Sequence, residues 1–421
     1  MRRRVRTCVS ALALALLAGA SAAQETVAVR VLPQPLATNR EPFRIGLQMG
    51  FPSEPSGLLG AAETNAWLEA LRSAELPAVR WPVTAGAAPY NWYQGVGPLE
   101  LRQPPPAAPQ AAGFGTAEFV QLCRLLGAEP VLRVTVPPFV RAGVDAERTR
   151  EEVQRAADWV AYCNASGSQP LARLRARHGH AEPLRVTRWE LFSAGGDLFA
   201  GASGAYQEAM RAADRAAGLS VACAEAPLGE AHDRYVGEVL RRLQAADAAE
   251  RAYFAGWYGA LSLANDALAR LRLGGGTVFW PDAPEQLLTR APPAKRTLTE
   301  RGRLIALFNR FPAQTPLAVE GSSASAQSPF QTVAAWTADG GALVVFVYNS
   351  GTEPRRVRLD LTALKGAFAF WAAEQLAADL TARRTAETVP VLRKQKAGSA
   401  LPQVVLFDSL PASFSRLVIK R

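Results

Sequence analysis

The chain has 421 residues, with 47 Lys and Arg against 37 Asp and Glu, which gives a formal net charge of +10. The basic residues are scattered singly along the chain, and no motif combines them with aromatic residues for base stacking, so we expect no nucleic-acid partner. A chain of this length exceeds one usual hydrophobic core and predicts at least two domains.

The first 23 residues have the pattern of a secretory signal peptide. Four arginines lie within the first six residues, and the apolar run Val9–Leu17 and small residues at 18–23 follow them. The apolar run is shorter than the roughly 20 residues that span a bilayer, so we expect cleavage near Ala22 or Ala23 and no membrane span. We therefore expect a secreted or periplasmic protein, whose net charge falls to +6 when the four arginines leave.

Cysteine and histidine spacing gives no reason to expect a metal or another cofactor. Three cysteines remain after the signal, Cys123, Cys163 and Cys223. Cys123 falls on the apolar stripe of a predicted helix, which is typical of a small core residue. His178 and His180 form a His-x-His pair without a third ligand at useful spacing, so we expect a loop role for them.

Strands and helices alternate from residue 43 to about residue 312. The predicted strands cover 43–49, 78–82, 129–136, 186–192, 219–225 and 275–281, and the predicted helices cover 64–76, 116–127, 151–163, 204–217 and 298–311. Parallel strands need a crossover such as a helix, so this order indicates β/α units, whose commonest large arrangement is a closed barrel. Between the predicted strands 219–225 and 275–281, residues 230–272 have a helical period and no strand pattern. This segment predicts two helices. We recognise six strands where a barrel needs eight, and therefore predict an incomplete or distorted (β/α)8 (TIM-like) barrel.

The last hundred residues have a different pattern. The runs 343–348, 355–361, 403–407 and 414–419 favour strands, and a turn signal at 349–351 separates the first two. This pattern is typical of an antiparallel β-sandwich. We therefore predict a signal peptide at 1–23, an N-terminal strand at 24–42 that joins the sandwich, the barrel at 43–312 and the sandwich at 313–421.

Several segments of the barrel region resemble the α-L-arabinofuranosidases of glycoside hydrolase family 51. The matching segments lie in the family's order at 80–102, 114–132, 158–164, 174–191 and 259–271. The resemblance implies a barrel with a companion sandwich and a retaining hydrolase site at the C-terminal ends of the strands. Such a site has two carboxylates about 5–5.5 Å apart, one as acid and base and one as nucleophile.

Both catalytic motifs of that family are altered in this chain. In the family, Gly-Asn-Glu follows Trp-Glu-Leu after the fourth strand, and the Glu is the acid. Here 189–191 reads Trp-Glu-Leu, and the acid position falls on Ala194 without a gap, or on Asp197 with three inserted residues. The family's Thr-Glu-Tyr-like nucleophile motif has no counterpart between the fifth strand and the last, which we interpret as the deletion of about two strands.

Two positions that contact the sugar in the family are also changed. Ala85 stands where the family has the Asn of Pro-Gly-Gly-Asn after the second strand, and Thr135 stands where the family ends its third strand with Asn. By the resemblance, the amides that bind sugar hydroxyls are lost, at a cost of roughly 1–3 kcal/mol for each unmet partner.

These observations leave three hypotheses open. The first is a secreted, arabinofuranosidase-like protein without hydrolase activity, which acts by binding or as a structural part of the envelope or an extracellular assembly; its partner would be a polysaccharide or a cell-envelope component. The second is an active glycosidase on arabinose-containing plant-type polysaccharide that uses a relocated carboxylate pair, Asp197 and Glu225. The third assigns carbohydrate binding to the C-terminal sandwich, where Trp336, Tyr348 and Trp371 would form a stacking platform.

Overall fold

The computed structural model describes residues 26–38, 41–52, 64–83, 90–102, 113–142, 145–193, 200–215, 218–223, 248–281, 287–289, 296–321, 328–351, 353–366, 368–378, 391–397 and 403–420. Their contacts form two compact units. The parallel unit comprises the described residues within 45–227 and 279–298, and the C-terminal unit comprises those within 1–44, 228–278 and 299–421.

The described residues contain fifteen strands, and helices lie between many of them in the chain. In chain order they are β1 (Thr26–Pro35), β2 (Arg44–Gln48), β3 (Ala78–Trp81), β4 (Glu129–Thr135), β5 (Arg188–Ser193), β6 (Gly218–Cys223), β7 (Thr277–Pro281), β8 (Ala313–Glu320), β9 (Phe330–Thr337), β10 (Ala342–Asn349), β11 (Arg355–Asp360), β12 (Phe370–Ala377), β13 (Val391–Ala397), β14 (Val404–Ser409) and β15 (Ser413–Lys420).

The described helices lie mainly between the strands of the first sheet. They are α1 (Thr64–Arg72), α2 (Thr116–Leu126), α3 (Pro138–Ala142), α4 (Ala146–Asn164), α5 (Pro170–Arg177), α6 (Ala200–Ala213), α7 (Ala248–Arg272) and α8 (Glu300–Asn309). Within the described residues, no helix combines the length and the apolar character that crossing a bilayer requires.

Six strands form the first sheet, in the order β6-β5-β4-β3-β2-β7, and β2 to β6 pair in parallel. The prediction of six strands in β/α order is confirmed. In a closed eight-stranded barrel the last strand lies beside the first, and β7 lies beside β2 in the same way. The sheet is therefore an incomplete barrel wall.

The six-stranded sheet is curled, and one of its faces is concave. Phe279 of β7 packs in one cluster with Ala78 of β3 and Val131 of β4, although β2 and β3 lie between β7 and β4 in the sheet. Neighbouring strands are about 4.8 Å apart, so a flat sheet would keep these side chains too far apart. Gly46 of β2 makes room for the ring, because a Cβ at this position would lie 2.9 Å from atoms of Phe279.

Helix packing on this sheet relies on aromatic side chains and specific caps. The Asp145 carboxylate accepts a hydrogen bond from the Arg148 backbone N–H at 2.9 Å and begins α4. The α4 residue Trp159 is buried, and its ring meets that of Trp189 on β5 at 5.4 Å. The Trp159 indole N–H donates to the Thr116 hydroxyl at the start of α2, which ties the two helices together.

Nine strands form the second sheet, in the order β13-β12-β15-β10-β9-β8-β1-β11-β14. The N-terminal strand β1 lies inside this sheet, where it pairs in parallel with β11 and antiparallel with β8. The other neighbouring pairs are antiparallel. This arrangement agrees with the predicted antiparallel C-terminal sheet.

The central strands of this sheet are buried on both faces. Alternate residues such as Val345 of β10 and Leu417 of β15 belong to one hydrophobic core, which they share with β1, β11 and β14. On the opposite face, Phe308 of α8 packs against Phe346 and Phe414, with ring centroids 4.7 and 5.1 Å apart. The helix α8 therefore covers the face that the core does not use.

Helices α7 and α8 pack in the C-terminal unit, although the sequence pattern assigns them to the barrel region 43–312. The Trp257 indole N–H of α7 donates to the Ala412 carbonyl at 2.8 Å. Arg272 at the end of α7 donates to the Gln331 side chain of β9 at 2.8 Å. Of the two helices expected in 230–272, α7 is described, and 230–247 lies outside the described residues.

Candidate functional site

The concave face of the six-stranded sheet carries the buried charged side chains of this unit's strands. Arg80 of β3 and Glu190 of β5 are 4% and 5% exposed, and Arg133 of β4 is 7% exposed. Arg80 lies over the Phe279 ring with its guanidinium carbon 4.4 Å from the centroid, which places Arg80 on the same side as the concave cluster. The concave face of the sheet therefore carries buried side chains of both charges.

Arg80 and Glu190 form a buried ion pair across the intervening strand β4. The Arg80 Nη1 donates to Glu190 Oε2 at 2.9 Å, and Arg80 Nη2 also donates to the Gln48 side-chain oxygen of β2. Burial of both partners leaves little water to compete for these hydrogen bonds. The pair links β2, β3 and β5, and the Glu190 carboxylate is engaged with a fixed cation.

Arg133 is the neighbour of Glu190 in the strand register. Its guanidinium carbon lies 3.4 Å from the centroid of the Phe192 ring, which is two residues beyond Glu190 on β5. Successive side chains on a strand alternate between faces, so Phe192 and Glu190 share a face. Among the described strands of this sheet, the buried charged side chains on the concave side are therefore two arginines and one glutamate.

Glycoside hydrolysis needs two carboxyl groups on opposite sides of the scissile bond. The described strands of the six-stranded sheet contain two, Glu190 and Glu129. Glu129 begins β4, so it lies at the end opposite the C-terminal edge, and it pairs with Arg188 at the surface at 3.1 Å. The strand residues described in the structure therefore do not supply a facing carboxylate pair.

Thr135, which replaces an amide by the resemblance, ends β4 and is 8% exposed. It lines a small cavity together with Tyr90, Glu152, Trp159 and Tyr206. The cavity volume of about 20 Å³ accommodates roughly one water, far less than the ~300–1,000 Å³ of typical ligand pockets. The Tyr90 and Tyr206 hydroxyls find no hydrogen-bond acceptor among the described residues. This cavity suits a bridging water rather than a sugar.

The structure does not describe the other predicted site residues of the barrel region. Ala85, Ala194, Asp197 and Glu225 lie outside the described residues, so the hypotheses that concern them stay predictions. Of the predicted barrel-site positions, Thr135 alone belongs to the described part of the chain.

The stacking platform predicted for the C-terminal unit does not agree with the burial of its residues. Tyr348 and Trp371 are 4% and 9% exposed, and Trp371 belongs to the hydrophobic core. Trp336 packs against the same core and stacks on Phe368 at 6.4 Å between centroids. Rings that pack in a core cannot offer a face to a sugar. Alternation along the strands directs Trp336 and Trp371 inward, so the predicted platform does not form.

Cys123, Cys163 and His178 have structural surroundings. Cys123 and Cys163 are free and buried, and burial raises the pKa of both thiols far above the ordinary value. The thiolate is the reactive form, so these side chains are inert under ordinary conditions. His178 follows α5, and its Nδ1 lies 3.0 Å from the Tyr162 hydroxyl. The described residues contain no group of three or more His, Cys, Asp or Glu side chains arranged to hold a metal.

The buried Arg80–Glu190 pair is the feature that the sequence interpretation missed. Arg80 opens the Arg-Trp-Pro motif and Glu190 is the centre of Trp-Glu-Leu, so both lie in segments already recognised. A charged residue in the middle of an otherwise apolar strand was the available signal, because charged side chains are seldom buried without a partner.

Comparison with known proteins gives a consistent answer. The family model for the alpha-L-arabinofuranosidase 1 domain matches residues 71–220. The alpha-L-arabinofuranosidase C of Emericella nidulans is 36% identical over 131 residues, which are 30% of this chain and 23% of that protein. The matched segment thus spans about a quarter of the relative's length.

Solved structures extend the likeness of fold over nearly the whole chain. A crystal structure of an arabinofuranosidase has a TM-score of 0.68 at 18% identity and covers 93% of this chain and 99% of that one. The α-L-arabinofuranosidase of Thermotoga maritima, solved as an arabinose complex, has a TM-score of 0.62 at 16% identity and covers 94% and 100%. Residues 71–220 are therefore similar to an alpha-L-arabinofuranosidase domain, and the fold of the chain is like that of the solved arabinofuranosidases.

Proposed function

We propose that this chain is an extracytoplasmic arabinofuranosidase-like protein that binds arabinose-containing polysaccharide without cleaving it. The observation that carries this proposal is the buried Arg80–Glu190 pair, because it engages the one carboxylate in the interior of the described parallel strands. The named relatives are arabinofuranosidases, which is the reason for choosing arabinose-containing chains as the ligand.

A retaining glycosidase needs one carboxyl group that can lose and regain a proton and a second one that can attack the sugar. Glu190 accepts a hydrogen bond from the Arg80 guanidinium at 2.9 Å, which occupies one of its carboxylate oxygens. A general acid must lie within about 2.6–3.2 Å of the leaving oxygen, free to donate to it. Glu190 is therefore suited to holding the sheet together.

The chain length between β6 and β7 supports the loss of the nucleophile. Residues 224–247, 24 in number, separate β6 from α7, and β7 begins five residues after α7 ends. Two further parallel strands would each need about five residues and a crossover of about a dozen or more, or about 34 residues in total before α7. The 24 residues are fewer than this estimate, and we take this chain length as support for a missing nucleophile.

The second candidate function is hydrolysis by a relocated pair, Asp197 and Glu225. It is favoured by the names of the relatives, which are those of enzymes. Asp197 follows β5 and Glu225 follows β6, and adjacent parallel strands end at the same edge of a sheet. This candidate requires the two carboxyl groups to approach within the ~5–10 Å that glycosidases use.

One experiment separates the two functions. The purified protein would be incubated with a chromogenic α-L-arabinofuranoside and with soluble arabinan, beside the variants Asp197→Asn and Glu225→Gln, while binding to the same arabinan is measured by calorimetry. We expect binding without release of sugar, and equal signals for all three proteins. Release of arabinose by the wild-type protein that either variant abolishes would overturn the proposal.

Covalent trapping gives an independent answer. A mechanism-based arabinofuranosyl inhibitor labels the nucleophile of a retaining enzyme, and mass spectrometry of the digested protein locates the label. We expect an unlabelled chain, and an active family 51 enzyme treated in parallel serves as the positive control. A label on Glu225 or on any other single carboxylate would establish the second function.

A further inference from the structure

Exposed apolar side chains are concentrated in one short segment of the parallel unit. Six large hydrophobic residues are prominently exposed in the described structure, and three of them, Tyr93, Leu99 and Leu101, lie within nine residues. They are 42%, 54% and 73% exposed. Single exposed hydrophobic residues are normal, whereas a group of them marks a contact surface.

The segment that carries these side chains is firmly attached to the scaffold. The Trp92 indole is 1% exposed and donates to the Arg155 carbonyl of α4 at 2.8 Å. Arg102 donates to both oxygens of Glu118 at 2.8 and 3.1 Å and to the Gly97 carbonyl at 2.9 Å. A surface that is fixed in this way loses little conformational freedom when it binds a ligand.

Tyr93 has the environment of a preorganised stacking residue. Its ring stacks on Trp92 with centroids 3.8 Å apart and an interplanar angle of 25°. Its hydroxyl donates to Asp158 Oδ2 at 2.9 Å, and Asp158 Oδ1 accepts from Gln154 Nε2 at 2.8 Å. Trp92 covers one face of the ring, and the Tyr93 residue as a whole is 42% exposed to solvent.

The groups around the Tyr93 ring are polar and suited to sugar hydroxyls. Asp158 and Gln154 on α4 flank the hydroxyl end, and the Asn91 side chain accepts the Tyr93 backbone N–H at 3.3 Å. Burial and the hydrogen bond to Asp158 raise the pKa of Tyr93 to about 12, so its hydroxyl remains a donor at neutral pH. A flat apolar ring edged by carboxylate and amide groups matches a sugar, which has one C–H face and hydroxyls at its rim.

We propose that Tyr93, with Gln154 and Asp158, forms a surface subsite that binds one sugar ring of a polysaccharide by stacking. A protein partner fits less well, because a specific protein interface buries about 800 Å² on each side and this platform centres on one ring. The inference rests on the proposed binding function and gives it a location on the outside of the parallel unit.

The test compares the affinity of variants for soluble arabinan and wheat arabinoxylan, measured by calorimetry with dextran as a negative control. Tyr93→Ala removes the stacking ring, and we expect affinity to fall about tenfold. Tyr93→Phe keeps the ring and loses only the hydroxyl bond, so affinity should fall less than about threefold. The matched surface control is Leu273→Ala, since Leu273 is 84% exposed in the other unit and should not affect binding.

Footprinting locates the sugar without relying on a variant that could disturb the Trp92 stack. Hydroxyl-radical labelling of the wild-type protein, read out by mass spectrometry, should show that arabinan protects the peptide containing Tyr93. Equal affinity of the wild type and Tyr93→Ala, or protection elsewhere only, would overturn this inference and leave the proposed function standing. A wild-type protein that binds none of the arabinose-containing polymers would instead refute the proposed function itself.

Discussion

Removing one partner of the Arg80–Glu190 pair leaves the other charge in the protein interior without its counter-charge. Glu190→Gln should lower the free energy of unfolding by about 3–5 kcal/mol, whereas breaking the exposed Arg188–Glu129 pair with Glu129→Gln should change it by less than about 1 kcal/mol. Urea unfolding followed by fluorescence measures both. Equal effects of the two substitutions would show that the buried pair is not a stabilising element of the sheet.

Two glycines of the parallel unit predict opposite effects of the same substitution. A Cβ at Gly115 would lie 1.7 Å from the Gly95 carbonyl oxygen, so Gly115→Ala should cost about 1–3 kcal/mol through displacement of the backbone. At Gly204 in α6 nothing lies within 4 Å, so Gly204→Ala should stabilise the protein by about 0.5–1 kcal/mol. Thermal unfolding of the two variants would show shifts of opposite sign, and a destabilised Gly204→Ala would contradict the described α6.

The end of α5 supplies a pH-dependent contribution to stability. Burial lowers the pKa of His178, and the nearby Arg177, His180 and Arg102 lower it further. The unfolded chain therefore takes up a proton near pH 6.5 while the folded state still resists it. The stability that neutral His178 confers is complete above about pH 6.5 and is lost as the pH falls through the interval down to the lowered pKa.

Urea unfolding at pH 7.5, 6.5 and 5.5 tests this contribution. We expect the wild-type protein to lose more stability over this range than His178→Gln, while His180→Gln, which removes one of the lesser causes of the lowered His178 pKa, should lie between them. Parallel pH profiles of all three proteins would exclude His178 as the titrating group. The Tyr162 hydroxyl faces His178 at 3.0 Å and remains protonated over the whole range, because burial raises its pKa.

Helix α8 should be essential to the C-terminal unit, because Phe308 fills the face of β10 and β15 opposite the core. Phe308→Ala removes contacts with two rings and should cost about 3–5 kcal/mol. Arg310, at the end of the same helix, is partly exposed and pairs with Glu374 only at 3.8 Å, so Arg310→Ala should cost less than about 1 kcal/mol. Chemical denaturation measures both, and comparable losses would mean that the helix is held mainly by its charged end.

Sequence patterns predicted the strands that alternate with helices and the apolar strands β10 and β15, whereas β9, which is also buried on both faces, was missed. β4 and β5 were expected within two residues of their observed bounds, because Pro and Gly signals separate them from the helices. β9 is buried along six successive residues, FQTVAA, and mixes polar with apolar side chains, so it shows no period of two. β8, β12 and β13 were missed in the same region. Pairing partners such as β1 with β11 depend on contacts distant in sequence and cannot be read from local pattern.

The candidate site was predictable only where a motif survives. Trp-Glu-Leu and Arg-Trp-Pro identified two strands correctly, yet the pairing of their charged residues across β4 required the three-dimensional register. Tyr93 lies within the matching segment 80–102, but the sequence pattern does not distinguish it from the buried Trp92 beside it. The exposure of Tyr93 depends on how its ring stacks on Trp92. No periodic pattern in the sequence predicts this stacking.

In the parallel unit, buried aromatic side chains form the scaffold that surrounds the sheet. The aromatic packing around Trp81, Trp92 and Trp159 holds the helices on the parallel sheet, and these rings are 2% exposed or less. In the described strands, the concave face bears the buried Arg80–Glu190 pair. The exposed ring of Tyr93 lies outside that face. Fold and activity are separable properties, so this scaffold is compatible with the binding function that we propose.

Export of the protein across a membrane should depend on the N-terminal segment of the full chain. The arginine-rich start, the short apolar run and the small residues up to Ala23 should direct the protein across a membrane, after which a peptidase removes the segment. Expression of the full chain in a bacterium with a general secretory pathway should give a periplasmic or secreted product, and intact-mass measurement should find it starting near Ala23 or Gln24. A variant with glutamate at all four N-terminal arginines should remain uncleaved, because the positive start orients the segment. A cytoplasmic wild-type product with an intact N-terminus would refute export and with it the extracytoplasmic part of the proposed function.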